Sequence, residues 1–358
     1  MSKYIYAVIG YGFIGRRHVD TLKKMEQSDC VAVCDINPKR LDEVKEKYPD
    51  MQVYDNADHL FAQADINGVI IAANNNQHKE LVIKAAKAGK NIICEKPAAM
   101  TVAEYDEMMA AVNEAGVPFT VHQQRRFDKD FRSVKECYDK KMVGDIYTIQ
   151  SSLYGYNGNM HDWHVYQSEG GGMLYDWGVH LIDQILYMVE GRLVSVYADV
   201  RNVINKEVDD YFKIILRFEN SVTAEIELGT YFLSDRKEWF ERHWYVGGNT
   251  GSMYADKFDP TGKIVRTAHL LENVAEEQEK SAKSYGPTRS FGVPEEGLIL
   301  TEDIPHVDCE QIDYFENYFN ALDGKEDFLV KPEQVRRVLS VMEACWESAR
   351  TMKSVDFE

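Results

Sequence analysis

YIYAVIGYGFIGRRHVDTLKKMEQSDCVAVCD, residues 4–35, is an apolar run, a glycine-rich turn, a helix-compatible segment and a second apolar run that ends on an acid. Strand, turn, helix and strand are thus laid out in order, with Gly-x-Gly-x-x-Gly at the first strand-to-helix junction. Each glycine has its own task there: Gly10 makes the tight turn, Gly12 lets backbone approach a pyrophosphate, and Gly15 lets helix pack on strand. The helix that opens after the turn aims unpaired N–H groups and its positive end at phosphates. Asp35 ends the second strand twenty positions after Gly15, where a carboxylate takes both hydroxyls of an adenosine ribose and repels a 2'-phosphate. The expected cofactor is therefore NAD. A lone glycine motif would be equally compatible with a tight turn in another α/β protein; here every piece is in register.

Working outward, 358 residues exceed one ordinary core, so two domains are expected. A composition of 44% hydrophobic and 11% aromatic residues suits large buried cores and argues against disorder. A net charge of -18 opposes binding to nucleic acid or to an anionic membrane. Ser2 and Lys3 lead straight into the first strand, and no apolar run is long enough to span a bilayer, so the expected location is cytoplasmic. Six scattered cysteines (30, 34, 94, 137, 309 and 345) form no Cys-x-x-Cys pair and read as reduced, structural thiols.

After Asp35 the alternation continues. Pro38 opens a helix, short apolar strands lie near Val53, at 69–72 and at 91–94, and Gly89 stops a helix at 77–88. Thr101, with Glu104 three residues on, caps a helix to Ala115, and a strand at 118–121 completes six. Short apolar runs of this kind belong to parallel strands buried on both faces. From about residue 125 the pattern changes. A helix at 129–141 and a strand at 146–154 precede a loop rich in aromatics and histidines. Three glycines (170–172) then lead into a helix at 173–189, and successive strands follow: 194–200, 211–218, 223–231, 243–246, 252–255 and 264–270. Strands without intervening helices imply an antiparallel sheet. Residues 273–305 are poorly patterned and read as a loop or arm; helices at 308–322 and 332–352 finish the chain. The expected architecture is α/β: an N-terminal Rossmann doubly wound parallel sheet (1–124) followed by an α+β domain with an open, mainly antiparallel sheet (125–358).

At Glu95-Lys96-Pro97 a combination becomes recognisable. GYGFIG, Asp35, an Asn-x-x-His element (Asn75, His78), EKP, RRF at 125–127 and GGGMLYDWGVHLID resemble, in order and over almost the whole chain, the glucose-fructose oxidoreductase, inositol dehydrogenase and MocA (Gfo/Idh/MocA) family. Ala73-Asn74-Asn75 stands where the family often has Thr-Pro-Asn. The resemblance implies NAD held by Gly10, Gly12, Phe13, Ile14, Gly15, Asp35 and Arg40. It adds Ala73, Asn75, His78, Glu95, Lys96 and Gln124 near the nicotinamide end. It further implies oligomers built by packing the open C-terminal sheets.

Oxidising a secondary alcohol requires a hydride to leave for nicotinamide while the hydroxyl proton leaves for a base. Lys96, at the carboxyl end of a parallel strand, is placed to stabilise the developing negative oxygen; the bland alternative is a surface lysine paired with Glu95. Asp176, His180, Asp183 and Tyr187 are spaced to share one helix face. His180 is the base candidate, with Asp176 orienting the imidazole or holding a substrate hydroxyl. Metal ligation by that pair is discounted, since no third ligand sits at a usual spacing. Arg126, at the domain junction, is a candidate substrate contact or an interdomain packing residue. Tyr156, Trp163 and His164 offer ring faces and polar edges to a sugar, or else simply pack sheet against helix.

These residues point to an NAD-dependent dehydrogenase acting on a ring secondary hydroxyl of a small carbohydrate or cyclic polyol, such as the hydroxyl at carbon 3 of a glucosyl unit. A glycosidase working by transient oxidation would share the same site. A non-catalytic NAD-sensing protein would be free to lose the Lys-Asp-His set.

Overall fold

The computed structural model describes residues 4–156, 160–232, 240–271 and 296–357. Strands β1 (Tyr4–Ile9), β2 (Ser28–Cys34), β3 (Gln52–Tyr54), β4 (Gly68–Ile71), β5 (Asn91–Cys94) and β6 (Phe119–Val121) form one parallel sheet in the order 3-2-1-4-5-6. The reversal between β1 and β4 is where a doubly wound sheet opens its ligand crevice. Helices α1 (Phe13–Lys24), α2 (Pro38–Lys47), α3 (Ala57–Gln63), α4 (His78–Lys87) and α5 (Val102–Ala115) cover its faces. Val8, Val33, Val69, Ile70, Ile92 and Ile93 are fully buried. Each such side chain contributes roughly 1.5–3 kcal/mol.

Pro38 and Thr101 open their helices as expected, and Asn37, not singled out from the sequence, adds a cap. The Asn37 side chain accepts from Lys39 N before α2, and Thr101 Oγ1 accepts from Glu104 N at 3.1 Å before α5. Glu104 reciprocates to Met100 N at 3.0 Å, one residue before the expected capping-box partner. Gly89 (φ 67°) and Gly116 (φ 65°) end α4 and α5 in the left-handed region.

The second half begins with α6 (Lys129–Asp139) and β7 (Ile146–Gly155). Next comes α7 (Val179–Met188), entered through a π turn at Leu174–Gly178. Strands β8 (Leu193–Arg201), β9 (Tyr211–Phe218), β10 (Thr223–Gly229), β11 (Phe240–Gly248), β12 (Gly251–Asp256), β13 (Thr261–Thr267) and β14 (Ile299–Asp303) follow. Helices α8 (Asp313–Leu322) and α9 (Pro332–Thr351) and strand β15 (Val355–Asp356) close the chain. Among the described residues the second sheet has nine strands, order 14-13-12-11-7-10-9-8-15, antiparallel except for β7 with β10. β14 falls inside the stretch expected to be a loop. All five of its residues are exposed, so burial leaves no alternation in its sequence. Most of that expected loop, 272–295, lies outside the described residues.

The last two helices return to the first sheet. Tyr318 meets Tyr6 hydroxyl to hydroxyl at 2.7 Å, and Tyr4 stacks on Phe319. Thr120 in β6 donates to Val330 O at 3.1 Å, and α9 packs on β8, α5 and α7. The two sheets are therefore held at a fixed approach. All six cysteines are free and buried, and among the described residues no helix is long and apolar enough to cross a membrane.

Candidate active site

At the end of β1, Gly10 has φ +94°, and a Cβ there would run into the carbonyl of Ala72 beyond β4; one on Gly15 would run into the carbonyl of Gly10. Only glycines allow β1, α1 and the end of β4 to approach so closely. Gly12 caps α1 with no side-chain acceptor, and a Cβ on it would meet nothing within 4 Å. No side chain caps the first N–H groups of α1, which leaves them available to an anion.

Asp35 lies beside them. Its Oδ2 accepts from Tyr11 N at 2.7 Å, its Oδ1 from Asn37 N at 2.8 Å, and Arg40 Nη1 stands 3.1 Å from Oδ2. Each oxygen keeps a lone pair for a ribose hydroxyl. Phe13 (78% exposed) and Ile36 (91% exposed) present bare apolar surface on either side. Ile36 was not singled out from the sequence, although an apolar residue directly after the acidic strand end was the available signal. A cavity of about 500 Å³ borders α1, lined by Ile14, Arg17, His122, Gln124 and Phe258 among others. Gln124 Oε1 is buried there without a partner, an acceptor suited to a carboxamide N–H. These features fit a dinucleotide.

Two residues of the expected cofactor set make hydrogen bonds within the protein. Asn75 Nδ2 donates to Gly170 O at 2.8 Å, flanked by Asn74 to Glu169 at 3.0 Å and Asn76 to Ser168 O at 2.9 Å. Three consecutive asparagines thereby tie the loop after β4 to residues 168–170 of the second half. Gly170 permits this approach, since a Cβ on it would sit 2.8 Å from that of Asn75. His78 is fully buried between the carbonyls of Pro97 (2.8 Å) and Ala73 (3.0 Å), joining the ends of β4 and β5. Both act as staples for the crevice wall.

The reacting centre is bridged from both halves. Lys96 follows β5, in the cis Lys96–Pro97 turn, and its Nζ donates to Asp176 Oδ1 at 2.7 Å and to Asp176 O at 2.8 Å. Asp176 sits in the π turn, so its angular offset from His180 differs from that of an α-helix. His180, one turn on and 3% exposed, meets Gln123 Oε1 through Nδ1 at 2.8 Å. Asp176 is thus the partner of the ammonium, and the imidazole takes its orientation from Gln123, a residue the sequence reading did not pick out. Burial, with Lys96 and then Arg125 nearby, holds the His180 imidazole well below its ordinary value, so it is neutral at neutral pH.

Glu95, expected at the cofactor, is buried and hydrogen-bonded to other groups of the Rossmann half. Its Oε1 receives His18 Nε2 at 2.6 Å and His122 Nδ1 at 2.8 Å, while Oε2 receives Lys96 N at 3.2 Å. Burial alone would push Glu95 up; the two imidazoles outweigh it and hold the carboxyl well below the usual range. The set could in principle chelate a cation. It is already satisfied by direct hydrogen bonds, however, and His122 Nε2 lacks the acceptor that a metal-bound imidazole ordinarily has.

Of the two roles expected for Arg126, the geometry fits interdomain packing. At 1% exposure, its guanidinium spans both oxygens of Asp183 at 2.7 Å, Leu329 O at 2.8 Å and Gln334 Oε1 at 2.9 Å, with Tyr187 beneath it. It cannot reach a substrate and serves as an interdomain clamp. Of the aromatic loop, Trp163 stacks on His164 at 3.9 Å, and the charges of Asp176 and Lys96 both act on His164. Tyr156 is exposed and bridges to Tyr231, farther along the sheet rim. Burial lowers His164, keeping that ring neutral too.

A Rossmann half with a glycine cradle, and a second half that brings an Asp-His helix onto the lysine at the strand ends, define a nicotinamide-dependent oxidoreductase. Comparison with known proteins agrees. Residues 5–123 match the oxidoreductase family with an NAD-binding Rossmann fold, and residues 131–254 match the GFO/IDH/MocA C-terminal domain. The chain belongs to the Gfo/Idh/MocA oxidoreductase family, and its cofactor is NAD. An NAD-binding protein from Listeria innocua of known structure is 31% identical, covering 99% of this chain and 97% of its own, with TM-score 0.85. The myo-inositol 2-dehydrogenase of Thermotoga maritima is 28% identical over 264 residues, 72% of this chain and 77% of the relative. The 2,7-anhydro-N-acetylneuraminate hydratase of Mediterraneibacter gnavus is 25% identical over 359 residues, 96% of this chain and 94% of the relative.

Proposed function

We propose that this oxidoreductase transfers hydride between NAD and a ring secondary hydroxyl of a sugar, glycoside or cyclic polyol. The observation that carries the reading is Lys96 Nζ held 2.7 Å from Asp176 with His180 one turn away. NAD supplies the hydride acceptor. His180 takes the hydroxyl proton on Nε2 as the carbon–oxygen double bond forms and the C–H pair departs. Lys96 donates to the same oxygen and offsets its developing charge, while Asp176 keeps the ammonium aimed. Trp163 and His164 supply a flat face for the ring. Lys96, Arg125, Arg126 and Arg242 are each paired with a carboxylate, which favours an uncharged substrate. The relative named as a myo-inositol dehydrogenase supports the polyol class.

The test is a panel of neutral sugars and cyclitols with NAD, followed by nicotinamide absorbance. Lys96→Ala is expected to lower kcat on any hit by roughly 10²–10³-fold without loss of folding. Full turnover by that variant would refute the assignment. The relative named as a hydratase motivates a second reading, transient oxidation without net redox. Product formed from a glycoside without accumulating NADH would favour it.

The face of the second sheet that carries Tyr197, Tyr245 and Tyr254 is exposed. Tyr245 and Tyr254 pair across β11 and β12, and this face is the surface proposed for self-association.

A further inference from the structure

We propose that Gln123 is the positioning residue that sets the tautomer of His180, making Nε2 the proton-accepting atom of the reaction. The inference deepens the function proposed above and rests on it. Gln123 lies just beyond β6 in the Rossmann half, and its side chain crosses to α7 in the other half. Its carboxamide oxygen, an acceptor only, faces Nδ1 at 2.8 Å; both side chains are buried. Nδ1 therefore carries the hydrogen, and Nε2 keeps its lone pair for the substrate hydroxyl.

The carboxamide is held there at a cost, because Gln123 Nε2 is buried without a partner. A side chain selected for packing alone would not leave a donor orphaned beside the catalytic helix. The neutral amide also differs in effect from the carboxylate that backs many catalytic imidazoles. It fixes the ring without adding a charge that would make the ring more basic. Lys96, Arg125, Glu95 and His122 are the charged or titratable groups acting on His180 from the elements packed around it. With Gln123 neutral, burial and the two cations prevail, and the base stays unprotonated at neutral pH.

The experiment is nitrogen-15 NMR of the histidine-labelled protein, with the His180 signals assigned by their loss in His180→Gln. The wild-type ring is expected to show a protonated Nδ1 and an unprotonated Nε2, a readout that needs no substrate. Finding the hydrogen on Nε2 overturns the proposal whatever the enzyme acts on. Gln123→Glu places a carboxylate at the same position. It is expected to raise the His180 pKa, seen in the same spectra, and to move the acid limb of kcat/KM upward by roughly 1–3 pH units. Gln123→Met keeps the volume and removes the acceptor, and is expected to abolish the tautomer preference and lower kcat more than it raises KM. An unmoved imidazole titration in Gln123→Glu also overturns the proposal. A panel without any turnover, alongside the expected spectra, would count against the substrate class and leave the role of Gln123 standing.

Discussion

The two walls of the crevice are built by different physics. The Rossmann wall is mainly apolar burial plus backbone geometry: parallel strands rich in buried valine, isoleucine and alanine, glycines where backbones touch, and one buried carboxylate, Glu95, held between His18 and His122. The opposite wall, under α7, is a lattice of buried charges. Arg126 pairs with Asp183. Arg242 pairs with Asp130, and reaches Ser151 and Gln184; Asp130 also takes Trp244 Nε1 at 2.8 Å. A cofactor common to many enzymes needs a fixed cradle, which apolar packing supplies. A helix presenting Asp176 and His180 needs fixed rotation about its axis, and directional hydrogen bonds resist rotation where apolar contacts would allow sliding.

The contrast predicts unequal responses to substitution. Asp183→Ala strands the Arg126 guanidinium in the interior and is expected to cost about 3–5 kcal/mol in urea unfolding. Replacing both partners with apolar residues is expected to recover much of that stability while lowering turnover. If the double variant kept full turnover, the lattice would have no part in aiming α7.

A smaller effect comes from Asp209, whose Oδ2 accepts from Leu174 N at 2.7 Å where the π turn begins. Burial, with Asp210 adding to it and backbone N–H groups opposing, pushes this carboxyl up to about 7. The folded state then holds a proton that the unfolded chain releases near pH 4, so this group's contribution to stability falls as pH rises through that window and is gone above about 7. Asp209→Asn is expected to flatten that decline in stability-versus-pH curves; an unchanged slope would place the titration elsewhere. The smallest change belongs to the apolar wall, where Ile70→Val is expected to cost roughly 0.5–1.5 kcal/mol with NAD affinity unaltered.

What the sequence disclosed follows the same division. β1, α1 and β2, the cap at Thr101, and all six parallel strands are local signals of period, cap and turn, legible because nothing distant overrides them. Lys96 and Asp176 were legible through motif resemblance, and the structure brings them to hydrogen-bond distance. Arg126 was left open between ligand and packing, and Glu95, Asn75 and His78 were expected at the ligand; each bonds a partner elsewhere in the chain or across a loop. Asp183 is 57 positions from Arg126, and Gly170 is 95 from Asn75. No local pattern announces such pairs. The π turn escaped because residues 174–188 are buried on almost every side, so no apolar stripe marks the shift of register. Gln123 escaped because an uncharged amide next to a strand end looks like any loop residue.

The most direct test is a crystal structure with NAD and a neutral sugar or cyclitol bound. One ring hydroxyl should lie within hydrogen-bond distance of both Lys96 Nζ and His180 Nε2, with its carbon facing nicotinamide C4. A dinucleotide whose nicotinamide lies away from those two groups, or a substrate oxygen contacting neither, would contradict the account.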